Sequence, residues 1–330
     1  MKDNLLNNFF FQVLRDALRL SLTLFKIIVP VLIVIKIMQD LDLIKYIAIP
    51  LSPVMKFVGL PVEMGLVWAT ALLNTLYGAI VVLLSLINDT GLTTAQVTVL
   101  GTMMLVAHAM PIELKIAKAS GPRIGFQSLL RLGSAIILGW LIHIFYRLTG
   151  LLQDPVKIII RPEDAPIAGR EPVILWAAMT MKNLFLMFLI IFSLFLVMRI
   201  LKKLRVLDLL NRLLHPMLKM LGIGTKASII AIIGLTMGIG YGGGFIIHEA
   251  RSGNIGKQDV FFSLSLMGLC HSLIEDTLLM FMIGGHLSGL LIARLLFALF
   301  VIAILVRISK KIPETVSDRF LWGEPGQEKN

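Results

Sequence analysis

Apolar residues run through this chain in long blocks, each broken by a proline, a glycine or a short polar turn, and the blocks come in two similar series. Each series opens with a long span (Leu20–Met38; Leu184–Leu201) and a short amphipathic helix containing proline (Ile47–Val58; Val206–Leu221). A glycine-interrupted apolar run follows (Met64–Ile87; Ala227–Ile247), then a run ending at a histidine (Val97–His108; Val260–His271). A small turn region leads to a closing span (Gln127–Tyr146; Leu287–Val306). The outer spans are long enough to cross a bilayer. The amphipathic helix is short for a crossing and fits the interface as well, and the histidine-bearing run fits a re-entrant hairpin.

Shifting the chain by 163 residues superimposes the series without a gap. Pro53 falls on Pro216, Lys56 on Lys219, Gly59 on Gly222, Met104 on Met267, His108 on His271, Gly121 on Gly284 and Arg131 on Arg294. Matching leucines would mean little in so apolar a sequence, but matching Pro, Lys, Gly, His and Arg in one register implies an internal duplication. The expected fold class is an all-α polytopic membrane protein of two inverted-topology repeats. Each repeat has about five membrane-embedded helices, including broken or re-entrant segments. The expected divisions are an amphipathic N-terminal segment (1–19), a first repeat (20–147), a linker and entry to the next span (148–183), a second repeat (184–307) and a tail (308–330).

Inversion follows from the positive-inside rule. Arg15 and Arg19 precede the first span of one series, whereas Arg199, Lys202, Lys203 and Arg205 follow the first span of the other. This arrangement puts Lys115, Lys118, Arg123, Arg307, Lys310 and Lys311 on the cytoplasmic side with both termini. It leaves Asn88–Thr94, Asp276–Leu287 and the proline-containing linker Leu151–Glu171 on the other side. The expected location is the inner (plasma) membrane.

Composition agrees with that picture: hydrophobic residues make up 57% and charged residues 15% of the 330 residues, and the mean hydropathy is +0.88. The net charge of +11 lies mostly at helix ends and short loops, so nucleic acid is not an expected partner. The expected partners are the lipid bilayer and a small-molecule or ion substrate, with a homo-oligomer compatible with the apolar faces. The single cysteine, Cys270, excludes an internal disulfide and a thiolate metal cage. No nucleophile is positioned with a base, and HExxH and GxxxxGK[ST] are both missing. An enzyme is not expected, nor is a cofactor.

Two groups of residues are candidates for function. The first is the pair of breaks, Asn74, Thr75, Tyr77 and Gly78 in one series and Gly238, Gly240, Tyr241, Gly242, Gly243 and Gly244 in the other. Broken helices leave N–H and C=O groups that can hold a polar or anionic solute near the midplane. The spacing of Gly234/Gly238 and Gly240/Gly244 equally fits close helix packing. The second group is ionisable: His108 with Glu113 across Pro111, and His271 with Glu275 at i, i+4 on one helix face, with Asp276 adjacent. Such a cluster could exchange a proton or supply ligands to a divalent ion, although the two acids could also cap a helix at the membrane surface. Arg131 and Arg294 are assigned to snorkelling toward the headgroups, with pairing to the acids as the alternative.

With GIGYGGGFIIHEARSG, CHSLIEDTLL and AHAMPIELKIA in view, the chain resembles the nucleoside recognition, or Gate, domain family, once per half. That domain also forms the membrane part of ferrous iron permeases and resembles parts of concentrative nucleoside transporters and of spore maturation proteins. The resemblance implies that both breaks and both histidine–acid helix ends line a permeation region. A GTPase domain like that of the iron permeases is missing, and the chain is shorter than a full nucleoside transporter. The expected function is therefore an ion-gradient-driven permease for a small polar or anionic solute, with a nucleoside-like solute among the candidates. The rival readings are a divalent metal permease and a non-transporting membrane scaffold.

Overall fold

A computed structural model describes residues 49–158, 173–220 and 255–323, with isolated positions between 14 and 41 and between 223 and 251. Among these residues the regular structure is helical, and the chain is an all-α polytopic membrane protein. After a single 3-10 turn at Ile49–Leu51 come α1 (Ser52–Phe57), α2 (Met64–Leu73), α3 (Leu76–Thr90), α4 (Thr94–Val106), α5 (Met110–Ser120) and α6 (Ile124–Thr149). The second part contains α7 (Val173–Lys203), α8 (Val206–Met220), α9 (Lys257–Cys270) and α10 (Glu275–Met282). It closes with a π turn (Ser288–Ala293) leading into α11 (Arg294–Ser309), and with α12 (Glu314–Phe320). Four stretches are long and apolar enough to cross a membrane: Thr94–Ser120, Ile124–Thr149, Lys257–Met282 and Ser288–Ser309.

The centre is α4 beside α9. Both are apolar around their whole circumference, so burial on all sides is the stable solution. In α4 every residue from Val97 to Val106 is buried, and in α9 every residue from Val260 to Cys270. Helix α4 packs along α6, α9 packs along α11, and the two touch each other.

The breaks expected from sequence have local causes. Helix α2 stops at Asn74, and Thr75 caps α3 by accepting the Gly78 N–H at 3.2 Å. The end of α4 is enforced by Pro111, whose ring cannot follow an unbroken helical turn. Ala109 takes φ 46° and its N–H donates to Ala71 O at 2.9 Å.

Several boundaries differ from the expectation. The segments read as small turn regions contain α5 and α10. In α5, Pro111 in the first turn, Glu113 near the N-terminus and Lys118 near the C-terminus all favour a helix. Helix α7 begins at Val173 rather than Leu184, because after Pro172 nothing in VILWAAMTMKN interrupts it. The span expected over Leu20–Met38 falls largely outside the described residues.

The two ends of the helical array are held by different contacts. At one end, Thr94 N–H donates to Asp154 O (3.0 Å), Ala95 N–H to Leu152 O (2.8 Å) and Val156 N–H to Leu92 O (3.0 Å). Gly284 lies against Val156 there, so the turns 91–93 and 283–287 meet residues 151–158. At the other end, Arg123 N–H donates to Leu321 O and Gly323 N–H to Gly121 O, both at 2.9 Å. This contact ties the C-terminal segment to the basic stretch 115–123. Helix α6 separates these ends by about 39 Å.

Candidate functional site

A helix that ends inside the protein leaves its last four carbonyls without partners. At the end of α4 each is satisfied separately. Ala107 N–H donates to Met103 O at 3.0 Å, and the His108 ring Nδ1 donates to Met104 O at 2.8 Å. Arg294 Nη2 reaches Leu105 O at 2.9 Å, and Arg131 Nε reaches Val106 O at 3.1 Å. Arg131 Nη2 also donates to His108 O at 3.0 Å.

The end of α9 repeats this scheme 163 residues later. His271 Nδ1 donates to Met267 O at 2.9 Å, Arg294 Nε to Leu269 O at 3.1 Å and Arg294 Nη2 to His271 O at 2.8 Å. Ser272 takes φ 46°, as Ala109 does, and its N–H points to Gly234 O at 3.4 Å, the counterpart of Ala71 O. The arginines therefore do not snorkel. They are 2% and 0% exposed, and each holds a negative helix C-terminus. The sequence signal for this role was the spacing: each arginine follows its histidine by 23 residues.

The two helix ends bring the histidines together. His271 Nε2 lies 3.1 Å from His108 Nε2 and 3.1 Å from Glu113 Oε1, and His108 Nε2 lies 3.6 Å from the same oxygen. Glu113 Oε2 is 2.6 Å from Arg131 Nη1. Asp276 aligns with Glu113 at the same offset and has Oδ2 3.9 Å from His108 Nε2. All five groups are buried, with Glu113 7% and Asp276 8% exposed. Solvated capping at the membrane surface is therefore not the role of Asp276.

The expected pairing of His271 with Glu275 on one helix face is corrected. Helix α9 stops at Cys270 and α10 starts at Glu275, so no continuous face joins them, and the carboxylate at His271 is Glu113. Glu275 instead accepts from Tyr77 Oη at 3.3 Å. That bond carries the Asn74–Gly78 break to the same region. The Thr75 hydroxyl is engaged in capping α3, and Asn74 is half-buried beside it. Beyond Glu113 a small cavity is lined by Leu114, Gln127, Arg131, Leu264 and Gly268. Gln127 Nε2 donates there to Ser265 Oγ at 2.8 Å, a contact that no residue spacing signals. Gly238, Gly240, Tyr241, Gly242, Gly243 and Gly244 lie outside the described residues.

The tautomers of the histidines follow from their partners. A carbonyl oxygen can only accept, so both Nδ1 atoms carry hydrogen, and a ring without a second proton presents a lone pair at Nε2. Two lone pairs 3.1 Å apart repel unless something electron-poor lies between them. His108, His271 and Glu113 are also the described residues whose ligand atoms cluster closely enough to hold a metal ion.

No family model matches the chain, and no solved structure matches it. Among curated proteins, the chain is 26% identical over 291 residues to one from Bacillus subtilis (strain 168) described as "Uncharacterized membrane protein YvoD". The match covers 88% of this chain and 91% of that protein. The likeness and the apolar helices together support membrane residence for this chain.

Proposed function

We propose that this protein is a permease of the secondary-transporter type, built from two inverted Gate-like repeats, that moves a small polar or anionic solute with an ion gradient. The observation that carries this reading is the meeting of two equivalent helix ends, α4 at His108 and α9 at His271, inside the apolar array. Interrupted helices at corresponding positions of two repeats mark the binding region in transporters of this plan. Each end presents ionisable groups where burial is costly, which favours a transport or coupling role over a purely structural one. Tyr77, at the first break, reaches the second half through Glu275 and extends the region toward the polar segment Asn74–Gly78.

The test is flux into proteoliposomes of the purified chain, over nucleosides, organic anions, amino acids and divalent metals, with imposed proton or sodium gradients. Uptake of one solute class that collapses in His271→Ala supports the reading. No uptake of any class under any gradient refutes it.

A further inference from the structure

We infer that His108 Nε2, His271 Nε2 and Glu113 Oε1 form a binding site for one first-row divalent transition-metal cation. The three atoms make a triangle with edges of 3.1, 3.1 and 3.6 Å. Around a tetrahedral ion with bonds of about 2.0–2.1 Å, neighbouring ligand atoms sit about 3.3–3.4 Å apart. A point equidistant from the three lies about 1.9 Å from each in their plane, so an ion at ordinary bond length sits slightly out of that plane. Asp276 Oδ2 lies 3.9 Å from His108 Nε2, beyond the ligand spacing of a tetrahedral ion, so the fourth position falls to water.

The surroundings are those of a metal site. Metal-binding histidines hold the ring by donating the other N–H to a carbonyl or carboxylate, as both Nδ1 atoms do here to Met104 O and Met267 O. Arg131 takes Glu113 Oε2 and leaves Oε1 facing the histidines. Two imidazoles with one carboxylate select a borderline cation such as zinc or cobalt, whereas calcium and magnesium require oxygen ligands throughout. The site stands on geometry; its description as the ion carried or coupled during transport rests on the permease reading above.

Full-length protein in detergent, stripped with chelator, is titrated with Co2+ while its visible absorption is recorded, and bound metal is counted by elemental mass spectrometry. The expected result is one cobalt per chain, displaced by Zn2+ and not by excess Mg2+ or Ca2+. His108→Gln and His271→Gln should each abolish the band, Glu113→Gln should weaken binding, and Glu275→Gln should leave it unchanged. Should the histidine variants fail to fold, the wild-type titration decides alone. The inference is overturned by sub-stoichiometric cobalt on the wild type, which leaves a proton to bridge the rings, or by full binding in a folded variant lacking both histidines. Metal binding without flux in proteoliposomes would keep the site and remove the permease; flux without metal binding would do the reverse.

Discussion

Replacing Arg131 with Met removes a guanidinium that serves Glu113 at 2.6 Å and the carbonyls of Val106 and His108 at 3.1 and 3.0 Å. The methionine fills most of the volume, so the loss is chiefly electrostatic. Removing one member of a buried pair costs about 3–5 kcal/mol, because the other charge stays behind without a partner. Orphaned carbonyls contribute on the order of 1–3 kcal/mol each to that loss. Adding Glu113→Gln abolishes the stranded charge but not the orphaned carbonyls, so the double variant should regain roughly 1–3 kcal/mol relative to Arg131→Met. Arg294 provides the control. It holds the carbonyls of Leu269, His271 and Leu105, while its Nη1 has no hydrogen-bond partner among the described residues. Glu113→Gln should therefore bring less recovery to Arg294→Met than to Arg131→Met. The assay is denaturant titration of the five variants and wild type in mixed micelles, analysed as two double-mutant cycles. Equal recovery in both arginine backgrounds, or none in either, would refute the assignment of Arg131 to Glu113.

Three further outcomes can be checked. Gly234 faces Met267 so closely that an added Cβ would lie 1.9 Å from the thioether methyl; Gly234→Ala should cost about 1–3 kcal/mol, and Met267→Ala in the same chain should restore part of it, both read from melting temperatures. Tyr77→Phe and Glu275→Leu should each lower stability by about 1 kcal/mol and, as they disrupt the same 3.3 Å bond, should not add in the double variant. In a Cys270→Ala background, single cysteines at Lys118 and Asp318 should be modified by an impermeant thiol reagent from one side of sealed vesicles, and cysteines at Gln153 and His286 from the other; any exchange between the pairs contradicts the arrangement of the two ends.

Much of the architecture could be read from the spacing of a few residue types. Proline announces the end of α4, and the Asn74–Thr75 pair announces the break before α3, because each removes or redirects a backbone hydrogen bond. The end of α9 carried no such sign. Cys270-His271-Ser272-Leu273 holds neither proline nor glycine, so the i, i+4 relation of His271 and Glu275 looked intact; what opens the chain there is Ser272 at φ 46° and the carbonyls of Gly234 and Leu235 that receive its neighbourhood. The arginines were misjudged for a related reason. A lone cation in an apolar run moves to the headgroups if it can, but not when a helix terminus a few ångströms away offers three or four unpaired carbonyls. Partner choice was equally invisible. Only the meeting of α4 and α9 places His271 on Glu113, a residue from the other half of the chain.

Arg294 bridges more than a helix end. Its Nη2 holds His271 O in its own half and Leu105 O in the other, and no matching reach of Arg131 into the second half is present among the described residues. Other bonds cross the same divide, from His271 to Glu113, from Gln127 to Ser265 and from Tyr77 to Glu275. A sliding displacement of α4 along α9 has to break the bond from Arg294 to Leu105 O before it has travelled an ångström or two, whereas a tilt about the same point leaves it intact. The guanidinium is therefore a latch against sliding, set among the other clasps that hold the two histidines together.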